Sequence, residues 1–220
     1  MNILVCDGRS RAALQIIRSL SAAGHNIIIG EAFFCMSFLS NKISEKVYYP
    51  NPDKDPSSFF NFLCAYVSEK EIDYIFPVRD SSTELLSRKS GSLPQGCKVI
   101  APKHDKLIEM SNKGKLMKFA NDHNILIPKT IYFDESNSVE TIEKKLDYPM
   151  VAKPVLSSGS RGIEIFKTRS DLEYFLEEKH TQLSTYILQE FIPHGGAIGF
   201  YSLCKNGKIK CSNIHTRLRE

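Results

Sequence analysis

One segment of the chain combines a lysine, serines and glycines in an order that could bind an anion. An apolar run, Met150–Ala152, ends on Lys153, and a second apolar run begins after Gly162. Glycine lets backbone N–H groups approach a ligand closely, and a lysine ammonium supplies a point charge to a phosphate. The connecting loop contains Ser157, Ser158, Gly159, Ser160, Arg161 and Gly162. The pattern predicts an anion-binding loop in which Lys153 and Arg161 carry the positive charge.

Two other interpretations of this loop are open, and one class of nucleotide site is excluded. The sequence contains no GxxxxGK[ST] motif, which excludes a plain P-loop NTPase. The loop could instead be an ordinary flexible turn beside a solvated lysine. It also matches the GxxG clamp of some nucleic-acid-binding proteins, but such clamps join helices, whereas strand patterns flank this loop. Because the formal net charge is only +4, we expect no nucleic-acid partner.

Strands and helices alternate through the first hundred residues. The apolar run Ile3–Cys6 precedes a helical pattern at Ala13–Leu20, and a second apolar run, Asn26–Gly30, follows. A strand–helix–strand unit implies parallel strands joined by a right-handed crossover. Two further strands are predicted at 74–78 and 98–101, after helices at 59–68 and 81–90. The last of these helices has capping-box spacing between Ser81 and Glu84. We therefore predict one α/β domain over residues 1–102.

The rest of the chain divides into a connector, a small α+β unit and a hairpin. Residues 103–128 are predicted as a helical connector. Residues 129–192 combine strands with two helices, the second opening at Ser170 with Glu173 in a capping box. Residues 193–220 begin with a Pro-Gly hinge, and the Asn206-Gly207 turn predicts a hairpin with Lys205 opposite Lys208. That register predicts one inner face made of Ile198, Phe200, Ser202, Cys204, Ile209, Cys211, Asn213 and His215.

Composition is that of an ordinary globular protein. The 220 residues are 42% hydrophobic and 25% charged, with 12 Gly and 10 Pro, which excludes collagen-like and disordered classes. No apolar run approaches the roughly 18 residues of a membrane-spanning helix, and the N-terminus has no basic leader. The 6 cysteines include no CxxC pair. We expect a cytoplasmic protein with reduced thiols and no membrane partner.

Four motifs, taken in order, resemble the ATP-grasp superfamily. They are Ser111-Asn112-Lys113 before a helix, Lys153-Pro154 with the loop 157–162, Leu188–Pro193, and Asn213–Glu220 beyond the hinge. Within the superfamily, the nearest likeness is to proteins related to the large chain of carbamoyl-phosphate synthase. The resemblance implies an α/β chain with a Rossmann-like pre-ATP-grasp domain, an ATP-grasp lid subdomain and the first hairpin of the C-terminal ATP-grasp subdomain.

The resemblance also implies a role for each motif. ATP would lie between two α+β units, with Lys113 and Lys153 reaching its phosphates and the loop closing over them. The segment 189–192 would pair its backbone with the edge of the adenine. The implied ATP-binding residues are Lys113, Lys153, Ser157, Ser158, Gly159, Ser160, Arg161, Gly162, Gln189, Glu190, Phe191 and Ile192. The implied catalytic residues are His215, Arg217 and Arg219, which alternate onto one face of the last strand near the γ-phosphate or an acidic substrate.

The implied reaction is ATP-dependent ligation, in which a small carboxylate becomes an acyl phosphate that an amine or similar nucleophile then attacks. Charged residues at strand ends of the first domain would help to shape the substrate side, although all have ordinary salt-bridge explanations; they are Asp7, Arg9, Arg79 and Asp80. The superfamily's acid for the ribose hydroxyls is absent from residues 194–198. Its ligands for Mg²⁺, the expected second cofactor, would lie beyond Glu220.

We therefore expect a shortened or split form of a larger enzyme, with a second chain or a homo-oligomer as partner. The alternative is a non-catalytic nucleotide-sensing or partner-binding module.

Overall fold

The chain folds into two compact units. The computed structural model describes residues 1–134, 137–157, 159–193 and 195–216. The units are Met1–Asn112 and Lys113–Glu220, so the division falls inside the segment expected to be a connector. The finer four-part division stays a prediction. Within the described part of the chain, no helix is both long enough and apolar enough to cross a membrane.

The first unit is built on a parallel sheet flanked by helices. Its elements in chain order are β1 (Asn2–Val5), α1 (Arg11–Ala22), β2 (Asn26–Glu31), β3 (Glu45–Tyr48), α2 (Pro56–Lys70), β4 (Tyr74–Phe76), α3 (Asp80–Arg88), β5 (Lys98–Val99) and α4 (His104–Ser111). The strand order is β3-β2-β1-β4-β5, and every pairing is parallel. This is the order of a Rossmann-like sheet, the fold that the resemblance implies for this domain.

Both faces of this sheet are buried, which explains the continuous apolar runs in its central strands. Along β1, Leu4 belongs to one core cluster, while Ile3 and Val5 belong to the other. Helix α2 covers the Leu4 face with Phe59 and other apolar side chains. Helix α1 covers the opposite face with Ile17. Successive side chains of a strand point to opposite faces, so a short strand such as β1 anchors both cores.

One predicted helix start in this unit is wrong. Helix α3 begins at Asp80, its N-cap residue is Arg79, and no side chain caps it. The buried hydroxyl of Ser81 has no partner among the described residues. The neighbouring Ser82 instead donates to the buried Asp7 carboxylate at 2.5 Å. The backbone amides of residues 78 and 79 also donate to that carboxylate, so the side chain of Asp7, two residues after β1, holds the segment that leads into the helix.

The second unit contains a four-stranded antiparallel sheet and a separate hairpin. Its elements are α5 (Lys113–Asp122), β6 (Thr130–Tyr132), α6 (Val139–Glu143), β7 (Met150–Pro154), β8 (Glu164–Phe166), α7 (Arg169–Glu178), β9 (Tyr186–Glu190), β10 (Ile198–Lys205) and β11 (Lys208–Thr216). The sheet order is β6-β9-β7-β8, and β10 pairs with β11. Its core combines apolar side chains of the sheet with Leu172 and Phe175 of α7.

Helix α7 starts two residues earlier than the sequence predicts. Its capping box consists of Thr168 and Asp171, not Ser170 and Glu173. The Thr168 amide donates to Asp171 Oδ2 at 2.9 Å, and the Asp171 amide donates to Thr168 Oγ1 at 3.3 Å. The amides of residues 167 and 168 hold the pKa of the Asp171 carboxyl below its usual value. Both Ser170 and Thr168 suit an N-cap, and the structure uses Thr168, which is two residues after the end of β8.

The hairpin forms at the predicted turn, but its predicted register is wrong beyond Cys204. Lys205 pairs with Lys208 and Cys204 with Ile209, as expected, yet Leu203 pairs with Cys211. The register shift leaves Lys210 as an extra residue on β11, which is a β-bulge. The bulge moves Cys211, Asn213 and His215 to the face opposite the predicted one. Apart from Gly199, every residue of the two strands is exposed, so the expected inner face is uncovered in the described structure.

Candidate functional site

The predicted anion-binding loop connects two strands of the second sheet, as the sequence indicates. Strand β7 pairs with β8, with Val151 opposite Ile165. Three residues of the loop have positive φ angles: 63° at Gly159, 59° at Ser160 and 70° at Gly162. A Cβ atom at Gly162 would lie 2.9 Å from the ring carbon Cγ of Pro154, so the loop packs closely against the residue after Lys153. Glycine is therefore required at position 162 by both conformation and space.

Lys113, the first residue of α5, contacts the start of the loop directly. Its backbone amide donates to the carbonyl of Val155 at 2.8 Å. Its ammonium donates to the Ser157 carbonyl at 2.6 Å and to the Ser157 hydroxyl at 2.9 Å. These bonds connect two motifs that are 44 residues apart in sequence. Burial lowers the pKa of the Lys113 ammonium.

Lys153 is partly buried, and it is close enough to Lys113 for the charge of that lysine to act on it. Its ammonium donates to Gln189 Oε1 at 2.8 Å. Burial lowers the pKa of Lys153, and the positive charge of Lys113 lowers it further. Both effects disfavour the charged form of the lysine in the free protein.

Neither lysine forms an ion pair with an acidic side chain in the described part of the chain. Their hydrogen-bond acceptors are a carbonyl, a hydroxyl and an amide oxygen. Two partly desolvated cations with only neutral acceptors lose solvation without gaining a counter-charge. An anion placed between them would reverse both pKa shifts, and a polyphosphate has the charge to contact both. The geometry therefore suits a phosphate-bearing ligand.

The segment 189–192 follows β9 out of the sheet, and the structure limits which of its backbone groups can reach a ligand. Gln189 is opposite both Thr130 and Val151, so it lies inside the sheet. The amide of Glu190 donates to the Lys129 carbonyl at 3.0 Å, and that of Phe191 donates to the Pro149 carbonyl at 3.3 Å. The Ile192 amide has no partner among the described residues, and its side chain is 61% exposed. Of the four amides, that of Ile192 is available.

The remaining predicted residues fall into two groups. Ser158, Arg217 and Arg219 lie outside the described residues, as does His194 of the hinge. His215 is on β11, opposite Gly199, where its ring stacks on Tyr201 with 5.0 Å between centroids. Among the residues described, no group of three or more His, Cys, Asp or Glu could hold a metal ion.

The charged residues at the strand ends of the first unit bind one another. Arg79 contacts the Asp53 carboxylate at 3.0 Å, and Arg9 contacts the same oxygen at 3.6 Å. Arg9 also lies 3.7 Å from the buried Glu31. The Asp7 carboxylate accepts hydrogen bonds from the backbone amides of residues 78 and 79 and from the Ser82 hydroxyl, and burial raises its pKa. These contacts support the salt-bridge explanation for Arg9 and Arg79.

The Gln189 side chain makes a contact in the candidate site that sequence reasoning missed. The prediction assigned the residue a backbone role, whereas it is 3% exposed and its side chain binds Lys153. The available signal was a polar residue that directly follows the apolar pair Ile187-Leu188 in a buried strand. A buried amide needs partners for both its oxygen and its nitrogen, so such a residue indicates a polar network.

Residues 110–215 match the family model described as the ATP-grasp domain. The chain is 34% identical over 96 residues to the alpha-aminoadipate–LysW ligase LysX of Saccharolobus solfataricus, an alignment that covers 40% of this chain and 34% of the relative. The chain thus spans about a third of the length of the curated relatives that it matches.

Two solved structures illustrate the similarity of the fold. Carboxyaminoimidazole ribonucleotide synthase from Aspergillus clavatus, complexed with ATP, has a TM-score of 0.73 at 11% identity, over 100% of this chain and 54% of that one. Biotin carboxylase from Campylobacter jejuni, in a β,γ-ATP complex, has a TM-score of 0.69 at 18% identity, over 90% of this chain and 46% of that one. These matches confirm the predicted fold class.

Proposed function

We propose, since the chain belongs to the ATP-grasp superfamily, that its second unit binds ATP. Lys113 and Lys153 would contact the phosphates, and the loop 157–162 would close over them. The main observation in support is that burial lowers the pKa of both lysines and that both have only neutral hydrogen-bond acceptors. Loop residues with positive φ beside these lysines support the same placement, because backbone amides in such conformations can surround an anion.

The adenine would lie against the end of β9. The Ile192 amide offers a hydrogen-bond donor there, and its exposed side chain offers an apolar contact to the base. The resemblance implies that the backbone of all four residues 189–192 pairs with the adenine. We propose that only one backbone amide of this segment, that of Ile192, donates to it. Glu190 takes a different part, because its carboxylate accepts a 2.8 Å hydrogen bond from the amide of Lys129 and so anchors the segment to the start of β6.

The complete reaction that we propose is ligation of a small carboxylate to an amine. ATP, when bound, supplies the phosphoryl group that turns the carboxylate into an acyl phosphate, which the amine then attacks. The names of two relatives support this class: the LysX ligase joins alpha-aminoadipate to LysW, and one solved structure is an L-amino acid ligase from Bacillus licheniformis. This chain's lysines would bind and orient the phosphates.

Other parts of the predicted enzyme stay proposals. His215, Arg217 and Arg219 would act near the transferred phosphoryl group, and Mg²⁺ would assist the reaction. The residues present do not fit a Mg²⁺ site, since the described part of the chain has no suitable cluster of acidic side chains. We therefore assign no step to the metal. A second chain, a homo-oligomer and a cytoplasmic location are further proposals, as is the likeness to carbamoyl-phosphate synthase.

The test is an isothermal titration of the 220-residue chain with ATP. We expect wild-type protein to bind, and the double variant Lys113→Met/Lys153→Met to lose affinity by about a hundredfold or more, because each charge-assisted bond contributes about 1.5–3 kcal/mol. Lys205→Met/Lys208→Met, at the exposed hairpin turn, is the matched control and should bind normally. Equal affinity of the two double variants would contradict the proposal.

The pH dependence provides a second measurement on the same samples. A phosphate binds the protonated lysines, so affinity should fall as pH rises through their pKa values. Because both values lie below the ordinary 10.5, this loss should begin at lower pH than for a solvated lysine. An affinity that stays constant up to pH 10.5 would contradict the assignment of these two lysines.

A further inference from the structure

We infer that Gln189 is a positioning residue, whose neutral side-chain amide holds Lys153 at the end of β7 without cancelling the charge that the lysine offers to a phosphate. The inference rests on the proposed function, because it takes the ligand of Lys153 to be a phosphate group of the ATP that we propose the second unit binds. It concerns the side chain of Gln189, whereas the resemblance implies a role for its backbone only.

The sheet register places the interacting side chains on one face. Gln189 of β9 is directly opposite Thr130 of β6 on one side and Val151 of β7 on the other. Lys153 is two residues beyond Val151, and therefore has the same orientation and lies diagonally from Gln189. Diagonal neighbours in a sheet are about 7–8 Å apart, which long side chains such as glutamine and lysine can span.

The donors and acceptors in this network can be assigned in only one way. The Lys153 ammonium can only donate, so the group it contacts at 2.8 Å must be the amide oxygen, Gln189 Oε1. The amide nitrogen Nε2 then donates to Thr130 Oγ1, also at 2.8 Å. The Thr130 hydroxyl donates in turn to the Pro128 carbonyl at 2.7 Å. The backbone thus fixes the threonine, the threonine fixes the amide, and the amide fixes the lysine.

Burial makes these hydrogen bonds costly to break. Gln189 is 3% exposed as a residue, so its amide has little access to water. A buried amide with both ends satisfied is rigid, because any rotation would leave a donor or an acceptor unpaired. Lys153 consequently has one preferred position before any ligand arrives. A preorganised cation costs less conformational entropy on binding than a mobile one.

The neutrality of the acceptor is the second part of the argument. A carboxylate at position 189 would have nearly the same shape, but it would form a buried ion pair with Lys153. A phosphate would then have to compete with that carboxylate for the same ammonium, and would meet an added negative charge. The amide oxygen instead holds the lysine while the net positive charge shared with Lys113 remains. Lys113 on α5 is the other charged group that acts on Lys153 in the described structure.

The test compares three variants of the full chain by ATP titration and by NMR titration of ¹³C-labelled lysine, with the Lys153 signal assigned from Lys153→Arg. We expect Gln189→Glu to weaken ATP binding about tenfold or more and Gln189→Leu roughly two- to tenfold. The two changes should move the Lys153 pKa in opposite directions: the carboxylate raises it, and loss of the acceptor lowers it.

Ile131→Val is the structural control. It removes a methylene group from the core on the opposite face of β6 and leaves both partners of the Gln189 amide in place, so it should lower the unfolding temperature without moving the Lys153 pKa. ATP affinity of Gln189→Glu equal to wild type, or a Lys153 pKa that moves the same way in both Gln189 variants, overturns the inference. If Gln189→Glu does not fold, unequal Lys153 pKa values in Gln189→Leu and Ile131→Val support it, and equal values overturn it.

The failure of the proposed function is a separate outcome. If wild-type protein does not bind ATP, that proposal fails, while the lysine titrations still show whether the amide holds Lys153.

Discussion

Two glycines of the loop have the same backbone requirement but different surroundings, and this difference can be tested. Gly159 and Gly162 have φ angles of 63° and 70°. A Cβ atom would meet nothing within 4 Å at Gly159, whereas at Gly162 it would approach Pro154 Cγ to 2.9 Å. Position 162 therefore controls how the loop packs beside Lys153, and position 159 controls only the local turn.

We predict that Gly162→Ala weakens ATP binding more than Gly159→Ala does. Each substitution costs about 1–2 kcal/mol for the left-handed conformation, but only Gly162→Ala must also displace Pro154, which directly follows Lys153. The measurement is ATP affinity by calorimetry, with the unfolding temperature recorded in parallel. Comparable affinities for the two variants would show that contact between the loop and Pro154 does not position the lysine.

Single residues also explain what the sequence could and could not predict about the site. Lys153 and Gly162 could be singled out because a lysine at a strand end and a glycine in a short loop are local signals, whereas Lys113 was predicted only from the resemblance to the ATP-grasp superfamily. The Gln189–Lys153 bond could not be predicted, because it depends on the register between β9 and β7. Two residues 36 positions apart become neighbours only when that register is fixed.

At the scale of helices and strands, the sequence predicts that an element exists better than it predicts where the element begins or how it pairs. The sequence predicts the helix that becomes α7, but the capping-box rule places its start at Ser170 with Glu173. In the structure, β8 ends at Phe166 and the helix has its N-cap only two residues further on, so Thr168 and Asp171 form the capping box. A hairpin bulge at Lys210 is likewise invisible locally, since no glycine or proline marks it.

We predict that Thr168→Ala destabilises the second unit by about 1 kcal/mol, as expected for the loss of an N-cap. Ser170→Ala is the matched control: Ser170 is exposed and outside the capping box, so its loss should change stability by less than about 0.5 kcal/mol. Denaturant unfolding followed by circular dichroism measures both. A larger effect for Ser170→Ala would mean that the helix begins where the sequence pattern places it.

At the scale of the whole molecule, the sequence was most informative about the order of elements. The alternation of strand and helix predicts the parallel sheet of the first unit, and the change of rhythm after residue 128 predicts the α+β composition of the second, but not that its sheet is antiparallel. Strand β3 was missed, because Glu45–Tyr48 is at the edge of its sheet and is only partly buried. Edge strands lack the continuous apolar run by which central parallel strands are found.

Each unit has its own core, and we predict that core substitutions act within the unit that contains them. Leu63 and Leu172 are both fully buried, the first in the sheet–helix core of the first unit and the second in that of the second unit. Leu→Ala at either site should cost about 2–5 kcal/mol. Leu172→Ala should accelerate hydrogen exchange in peptides from β7 and β9, whereas Leu63→Ala should accelerate it in peptides from β1 and β4.

The two leucine variants serve as controls for each other, because the substitution and the degree of burial are the same. Local unfolding follows cooperative units of structure, and separate cores favour separate units. The two lysines that we propose bind ATP belong to the second unit, so Leu63→Ala should retain ATP binding at temperatures where Leu172→Ala has lost it. Faster exchange throughout the chain in both variants would instead show that the 220 residues unfold as one cooperative body.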